Sequence, residues 1–236
     1  MKKVLVSFGG KQKGANRHVN GTSLVRNYTK EVEQLFRSAG PYGFDRMLMY
    51  DDSWLMSSSY YTKVCDEPSF GWMFKPASIH AAMATMDDGD LLVWMDSNDK
   101  MVGSPQPLFD LALSRHIYLH DHYPNVNPNK DWTRRDMFIK MGCDEPKYWD
   151  FPQVQVDTMV FHKDPFTVNF VNEWIKHASD YDTMIANVHE NFPGYQDHRF
   201  EQSICSILAA KYGIPCSPGY PGGTSSGVNN SVVEPA

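Results

Sequence analysis

Along most of the chain, short continuous apolar runs alternate with segments whose apolar residues recur at helical spacing. Lys3-Val-Leu-Val-Ser-Phe8, closed by Gly9-Gly10, has the pattern of a buried strand. From Thr22 to Ala39, Leu24, Tyr28, Val32, Leu35 and Phe36 fall on one face of a predicted helix that Gly40-Pro41 ends. Phe44 to Tyr50 predicts a second strand, ending at Asp51-Asp52. Pro76, a favoured first helical position, opens a helix to about Met86. Gly89 then turns the chain into Leu91-Leu-Val-Trp-Met95, an uninterrupted apolar run suited to a central parallel strand.

The second half is less regular. Pro107 to Ser114 reads as helix and Ile117 to His122 as a short strand. Thr133 with Asp136 three residues on resembles a capping box, opening a helix to Met141 with Gly142 past its end. Val154 to Lys163 predicts a strand, Phe166 to Ala178 an amphipathic helix, and Phe200 to Tyr212 a last helix with Gly213 as its C-cap. Ser217 to Ala236 is rich in Pro, Gly, Ser and Asn, the composition of a tail or linker. Strands alternating with helices place the chain in the α/β class, with a mostly parallel central sheet flanked by helices and function at the carboxyl ends of its strands.

Composition narrows the function classes. At 236 residues and 42% hydrophobic, the chain buries a substantial core, and no internal linker or repeat divides it. A net charge of −6 argues against nucleic acid or an anionic membrane as a main partner. Cys65, Cys143, Cys205 and Cys216 form no CxxC pair, so reduced thiols in a cytoplasmic setting are expected. No run approaches the roughly 18 apolar residues of a membrane span. The first strand lacks a GxGxxG turn, and no GxxxxGK[ST] occurs, which speaks against dinucleotide-binding and P-loop chemistry.

The sharpest local signal is Asp88-Gly-Asp90-Leu-Leu-Val-Trp-Met-Asp96-Ser-Asn98-Asp99. A carboxylate at the end of a buried strand, followed two residues later by a second oxygen ligand, suits Mg²⁺ or Mn²⁺ held against a diphosphate. Spacing alone leaves two readings of Asp96 open, a metal ligand and a cap for the turn after the strand.

Phe70-Gly-Trp-Met-Phe-Lys75-Pro76, a helix, then Asp88-Gly-Asp90 leading to Asp96-Ser-Asn98, resembles a group of bacterial capsule-type and large-DNA-virus (chlorella-virus-like) glycosyltransferases. The likeness returns, in the same order, at Arg135-Asp-Met-Phe138, at Phe161 with Glu173-Trp174, and at His198-Arg199-Phe-Glu-Gln202-Ser203. It implies a GT-A fold in one domain over residues 1–216, with a nucleotide-binding half of about 1–100 and an acceptor half of about 101–216. The implied activity is transfer of a hexose from a nucleoside-diphosphate sugar, UDP-linked, to a glycan or glycoprotein acceptor with a divalent metal. Asp96, Asn98 and His198 are the implied metal ligands, although Asn98 stands where the usual Asp-x-Asp motif carries its second carboxylate.

Further roles follow from position within that fold. Ser7, Phe8 and Asp51 sit at strand ends where the base and ribose of a donor lie, Lys75 precedes a helix N-terminus as a phosphate-binding cation, and Arg199 pairs with phosphate oxygens. Glu201, at the start of the last helix, is the first choice of base, and Asp157 the second. Gln153, Gln155 and Asp157 share one strand face and predict either a polar cleft or a solvent edge. Arg135 is expected at donor or acceptor and Arg134 at the surface. His116, His120 and His122 read as exposed histidines of a short strand on the acceptor side, Trp72, Trp94 and Trp174 as core, and Trp132 and Trp149 as platforms for sugars. Two other functions remain in play. Gly9-Gly-Lys-Gln-Lys-Gly14 is a faint version of a sugar-nucleotide pyrophosphorylase loop, and Asn98 leaves room for a nucleotide-sugar- or carbohydrate-binding module without strong catalysis.

Overall fold

The computed structural model describes residues 1–10, 16–19, 22–26, 28–122, 125–219, 224–225 and 233–235. In chain order these form β1 (Lys3–Phe8), β2 (Asn16–Val19), β3 (Thr22–Arg26), α1 (Tyr28–Ala39), β4 (Arg46–Tyr50), α2 (Asp52–Ser57), α3 (Phe74–Met83), β5 (Leu91–Met95) and β6 (Lys100–Met101). There follow α4 (Gln106–Arg115), β7 (Ile117–Asp121), α5 (Arg135–Lys140), α6 (Pro146–Trp149), β8 (Val154–His162), α7 (Pro165–Ser179), α8 (Tyr181–Ile185) and α9 (Phe200–Tyr212). The last strands are β9 (Cys216–Ser217), β10 (Thr224–Ser225) and β11 (Val233–Pro235).

A six-stranded sheet in the order β4-β1-β5-β8-β7-β9 forms the centre. β4, β1 and β5 run parallel, β8 runs against both β5 and β7, and β9 is parallel to β7. The continuous apolar runs of β1 and β5 arise because both faces of these strands are covered. Val4, Val6, Phe8, Leu92 and Trp94 point into one core layer with residues of α3, α7 and α9. Leu5, Leu91, Val93 and Met95 point into the other, with residues of α1 and α4. Strand alternation therefore sends Asp96, just past β5, towards the α3 and α9 side.

Several boundaries differ from the sequence pattern. Thr22–Arg26 is a strand paired with β2 and β11, and the helix begins at Tyr28. Thr, Ser and Val are weak helix formers, so the ladder wins over the helical spacing of Leu24 and Tyr28. α3 starts at Phe74, and Pro76 falls within its first turn, where a missing N–H costs nothing. The capping box at Thr133 does not form. Thr133 Oγ1 donates to Asn129 Oδ1 at 2.7 Å, and Asp136 instead accepts the backbone N–H groups of Val188 and His189. A true capping box opens α7, where Asp164 and Thr167 satisfy each other's backbone groups. Within the expected tail, Ser217 completes β9 beside β7, β10 pairs with β6 and β11 with β3; residues 220–223, 226–232 and 236 lie outside the described residues. Gly213 ends α9 in the left-handed conformation, φ 67°.

Candidate functional site

Asp96 emerges from β5 beneath the first turn of α3 and the first turn of α9. The Lys75 ammonium lies 3.0 Å from Asp96 Oδ1 and 3.8 Å from Glu201 Oε1, and donates to the Val156 carbonyl at 2.9 Å. The Trp94 indole N–H also donates to Asp96 Oδ1, at 3.0 Å. Lys75, expected as a phosphate-binding cation, is 4% exposed in the floor of a cavity and is paired with carboxylates. Burial alone would lower its pKa, but the Asp96 and Glu201 carboxylates outweigh that and hold it protonated. Burial pushes the Glu201 carboxyl up to about 8, against the pull of Lys75. At neutral pH Glu201 is mainly a neutral acid, the wrong form for the general base expected at this position.

These groups form the floor of a cavity of about 300 Å³ whose walls include Phe8, Trp72, Phe74, Asn98, Arg199 and Phe200. Phe8 stacks on Phe74 at 4.4 Å and Trp72 on Phe200 at 5.0 Å between ring centroids. Trp72 and Phe200 both hold positive φ, 56° and 47°. That conformation costs of order 1–3 kcal/mol for a non-glycine residue and concentrates at functional sites. Trp72, expected in the core, is thus a strained cavity wall. The turn carrying Asp96 and Asn98 is fixed from below, where Ser97 Oγ donates to buried Glu31 Oε2 at 2.9 Å.

Two expected nucleotide contacts lie elsewhere. Ser7 is fully buried and donates to the Met95 carbonyl at 2.7 Å, stitching β1 to β5. Asp51 caps α2, accepting the Trp54 N–H at 2.8 Å.

The three implied metal ligands all line the cavity, but two of them are engaged by other groups of the protein. His198 lines the cavity, but its Nδ1 accepts the Arg134 N–H at 3.3 Å and its Nε2 meets the Met184 carbonyl at 3.0 Å. Burial, helped by Arg134, depresses its pKa to about 4, so it is a neutral imidazole with both nitrogens committed. Asp96 Oδ1 is held by an ammonium and an indole, and Asn98 offers only a neutral amide. A dication about 2 Å from Asp96 would stand close to the Lys75 charge. The residues present do not fit the metal set that the family resemblance implies.

Asp157 lies across from Asp96 on the neighbouring strand, their backbones joined by Asp96 N–H to Asp157 C=O at 2.8 Å. His120 Nε2 meets Asp157 Oδ1 at 3.0 Å. His120 is 2% exposed on β7, so one of the histidines expected at the surface is buried against a carboxylate at the site. The remaining polar face of β8 leads into a second cleft of about 240 Å³, lined by His122, Asn127, Trp132, Gln153, Gln155, Arg199 and Gln202. Arg199 and Gln202 line both spaces, and the Arg199 guanidinium lies 4.5 Å over the Trp132 ring.

Several other residues make contacts within the fold. Arg135 pairs with Asp144 at 3.2 Å and lies over Phe192, while Arg134 Nη1 donates to the Ile185 carbonyl. Trp149 packs on Phe192 and donates to Asp144. Trp94 and Trp174 are core, as their patterns predict. The four cysteines are unpaired, three of them buried. Most of the Gly9–Gly14 loop lies outside the described residues. Among the described residues, no helix is long and apolar enough to cross a membrane.

No protein-family model matches the chain, and no curated protein matches it in sequence. Among solved structures, it is similar to the apo structure of WbbM, a bifunctional glycosyltransferase, with a TM-score of 0.47 and 11% identity. That similarity covers 88% of this chain and 37% of WbbM, so the chain spans little more than a third of that protein. The apo form of mouse xyloside xylosyltransferase 1 is similar with a TM-score of 0.44 and 9% identity, over 89% of this chain and 82% of that one. A mannose-6-phosphate isomerase from Helicobacter pylori follows with a TM-score of 0.38 and 14% identity, over 75% and 76%. At these scores the likenesses are distant.

Proposed function

We propose that the protein is a glycosyltransferase of GT-A type that moves a sugar, a UDP-linked hexose, from a nucleoside-diphosphate donor to a glycan acceptor. The observation that carries this reading is the carboxylate pair Asp96 and Asp157 on adjacent strands, with Asp96 in the floor of an aromatic-walled cavity that Arg199 also lines. The ordered motif series from Phe70 to Ser203 supports it independently.

In this reading the donor's base lies against the aromatic walls and its diphosphate against Arg199. Asp157, oriented by His120, takes the proton of the acceptor hydroxyl as that oxygen bonds to the anomeric carbon. The bond from the anomeric carbon to the diphosphate oxygen breaks, and the charge released on the nucleoside diphosphate is met by the Arg199 guanidinium and the field of Lys75. Asp96 holds Lys75 in place. Glu201, largely protonated, keeps the floor of the cavity from carrying excess negative charge beneath an anionic donor. No step passes through a metal, because two of the three ligands the resemblance implies, Asp96 and His198, are engaged by the protein.

A second reading, a nucleotide-sugar-binding module, is favoured by the same commitment of His198 and Lys75 to structural contacts. One experiment separates the two. Thermal midpoints are measured with UDP, other nucleoside diphosphates and UDP-hexoses, followed by release of UDP from UDP-hexose with a mixed glycan acceptor. A ligand at about 100 times its Kd stabilises by roughly 2.7 kcal/mol, which is readily seen. Binding with turnover supports transfer, binding without turnover supports the module, and no shift with any nucleotide overturns both.

A further inference from the structure

The second cleft is not needed to hold a donor, and its chemistry differs from that of the main cavity. We propose that it is the acceptor subsite and that it takes a neutral, hydroxyl-rich sugar ring; this rests on the transfer reading above. Three independent observations point there. The cleft is lined by four carboxamides, Asn127, Gln153, Gln155 and Gln202, and by no carboxylate. Each carboxamide presents donors and an acceptor together, the complement of a sugar hydroxyl, which also donates and accepts. A phosphate or carboxylate ligand would instead meet amide oxygens and a single cation, Arg199, which the transfer reading assigns to the donor diphosphate.

The second observation is unmet hydrogen bonding. Gln153 is 3% exposed, yet neither its Nε2 nor its Oε1 has a partner. The Trp132 indole N–H is likewise buried and unpartnered. Buried polar groups are satisfied in the great majority of cases, so three such atoms around one cleft mark a place where a ligand completes the network. The third is continuity. Gln153 and Gln155 line this cleft from the same extended segment that carries Asp157 two residues further on. Gln202 and Arg199 line both this cleft and the donor cavity, so a ring lying on Gln155 adjoins the donor site.

The test is saturation-transfer NMR on the full chain with millimolar methyl α-glucoside, methyl α-galactoside, methyl α-mannoside, methyl β-xyloside and, as an anionic comparison, methyl β-glucuronide. The expected result is transfer to at least one neutral glycoside over the glucuronide. Gln153→Leu and Gln155→Ala should each weaken that binding about five- to tenfold, as loss of one or two ligand hydrogen bonds does. Gln153→Leu should also fold with undiminished stability, because the amide it removes has no protein partner. Gln155→Ala, on the wetter part of the strand, provides a second variant that does not disturb the core. If no glycoside receives saturation while UDP still raises the thermal midpoint, the acceptor subsite is wrong and the donor site stands. Undiminished binding in both variants equally overturns it, and silence of UDP and all glycosides together overturns the transfer reading with it.

Discussion

Replacing Lys75 by methionine is the most direct trial of the electrostatic arrangement under the cavity. The side chain keeps its length and apolar stem, so the core contacts of α3 survive, and what is lost is one ammonium. Asp96 then loses its 3.0 Å partner and Glu201 its neighbour at 3.8 Å, with Asp157 also nearby. Removing one partner of a buried ion pair costs about 3–5 kcal/mol, because the remaining charge is left uncompensated. Two features place this case at the lower end. Glu201 is mainly protonated at pH 7 already, and the Asp96 side chain is 33% exposed to the cavity. A loss of about 3 kcal/mol corresponds to a thermal midpoint lower by roughly 6–12 °C for a protein of this size.

The pH dependence supplies a signature that a packing defect would lack. Without Lys75, the folded-state pKa values of Asp96 and Glu201 rise further above their unfolded values. Carboxyls raised in this way contribute stability that is present at low pH and lost as pH climbs through the folded values. The gap between wild type and Lys75→Met should therefore be small near pH 5 and largest above pH 8. Denaturant or thermal unfolding across that range measures it, and adding Asp96→Asn to the variant should recover a substantial part of the loss. A deficit below about 1 kcal/mol with no pH trend would refute the claim that Lys75 is the counter-ion of a buried carboxylate pair.

Glu201→Gln should flatten the pH profile. The carboxyl is raised to about 8, so wild-type stability falls as pH rises through that value, and the variant escapes this loss by up to a few kcal/mol above pH 8. Asp157→Asn should lower sugar transfer by on the order of 10²- to 10⁴-fold while leaving the UDP-induced midpoint shift in place; a variant within threefold of wild type in a coupled UDP-release assay would remove Asp157 as the base. Arg199→Ala should weaken UDP about tenfold or more, read by calorimetry, as expected for losing a charge-assisted hydrogen bond. The UDP shift should be the same in EDTA as in Mn²⁺, since His198 and Asp96 are engaged by the protein; a shift that appears with Mn²⁺ alone would show that these contacts open to form a metal site.

Much of the fold is legible from the sequence where burial imposes a period. β1, β5 and α9 sit where the apolar pattern places them, because each is covered on both faces or caught between layers. Thr22–Arg26 misleads because Leu24 and Tyr28 keep helical spacing, while what makes it a strand is pairing on both sides, with β2 just before it and with β11 far along the chain. His198 misleads for a related reason. A histidine beside Arg199 looks available to a ligand, and only Met184 and Arg134, remote in sequence, show that both its nitrogens are used.

Lys75 and Asp96 stand between these cases, and their pairing was within reach of the pattern. Leu92, Trp94 and Asp96 alternate onto one face of β5, and that face is buried against α3, α7 and α9. An ionised carboxylate directed at an apolar layer demands a cation, and the first turn of α3 carries one lysine. By the same reasoning His120, inward on the all-buried strand β7, requires a polar partner, and the neighbouring strand offers Asp157. Charged residues at the ends of buried strands are thus predictable in pairs even where each alone reads as surface. In this chain the two pairs meet, since Asp96 and Asp157 are cross-strand neighbours, and that meeting point is where the chemistry is placed.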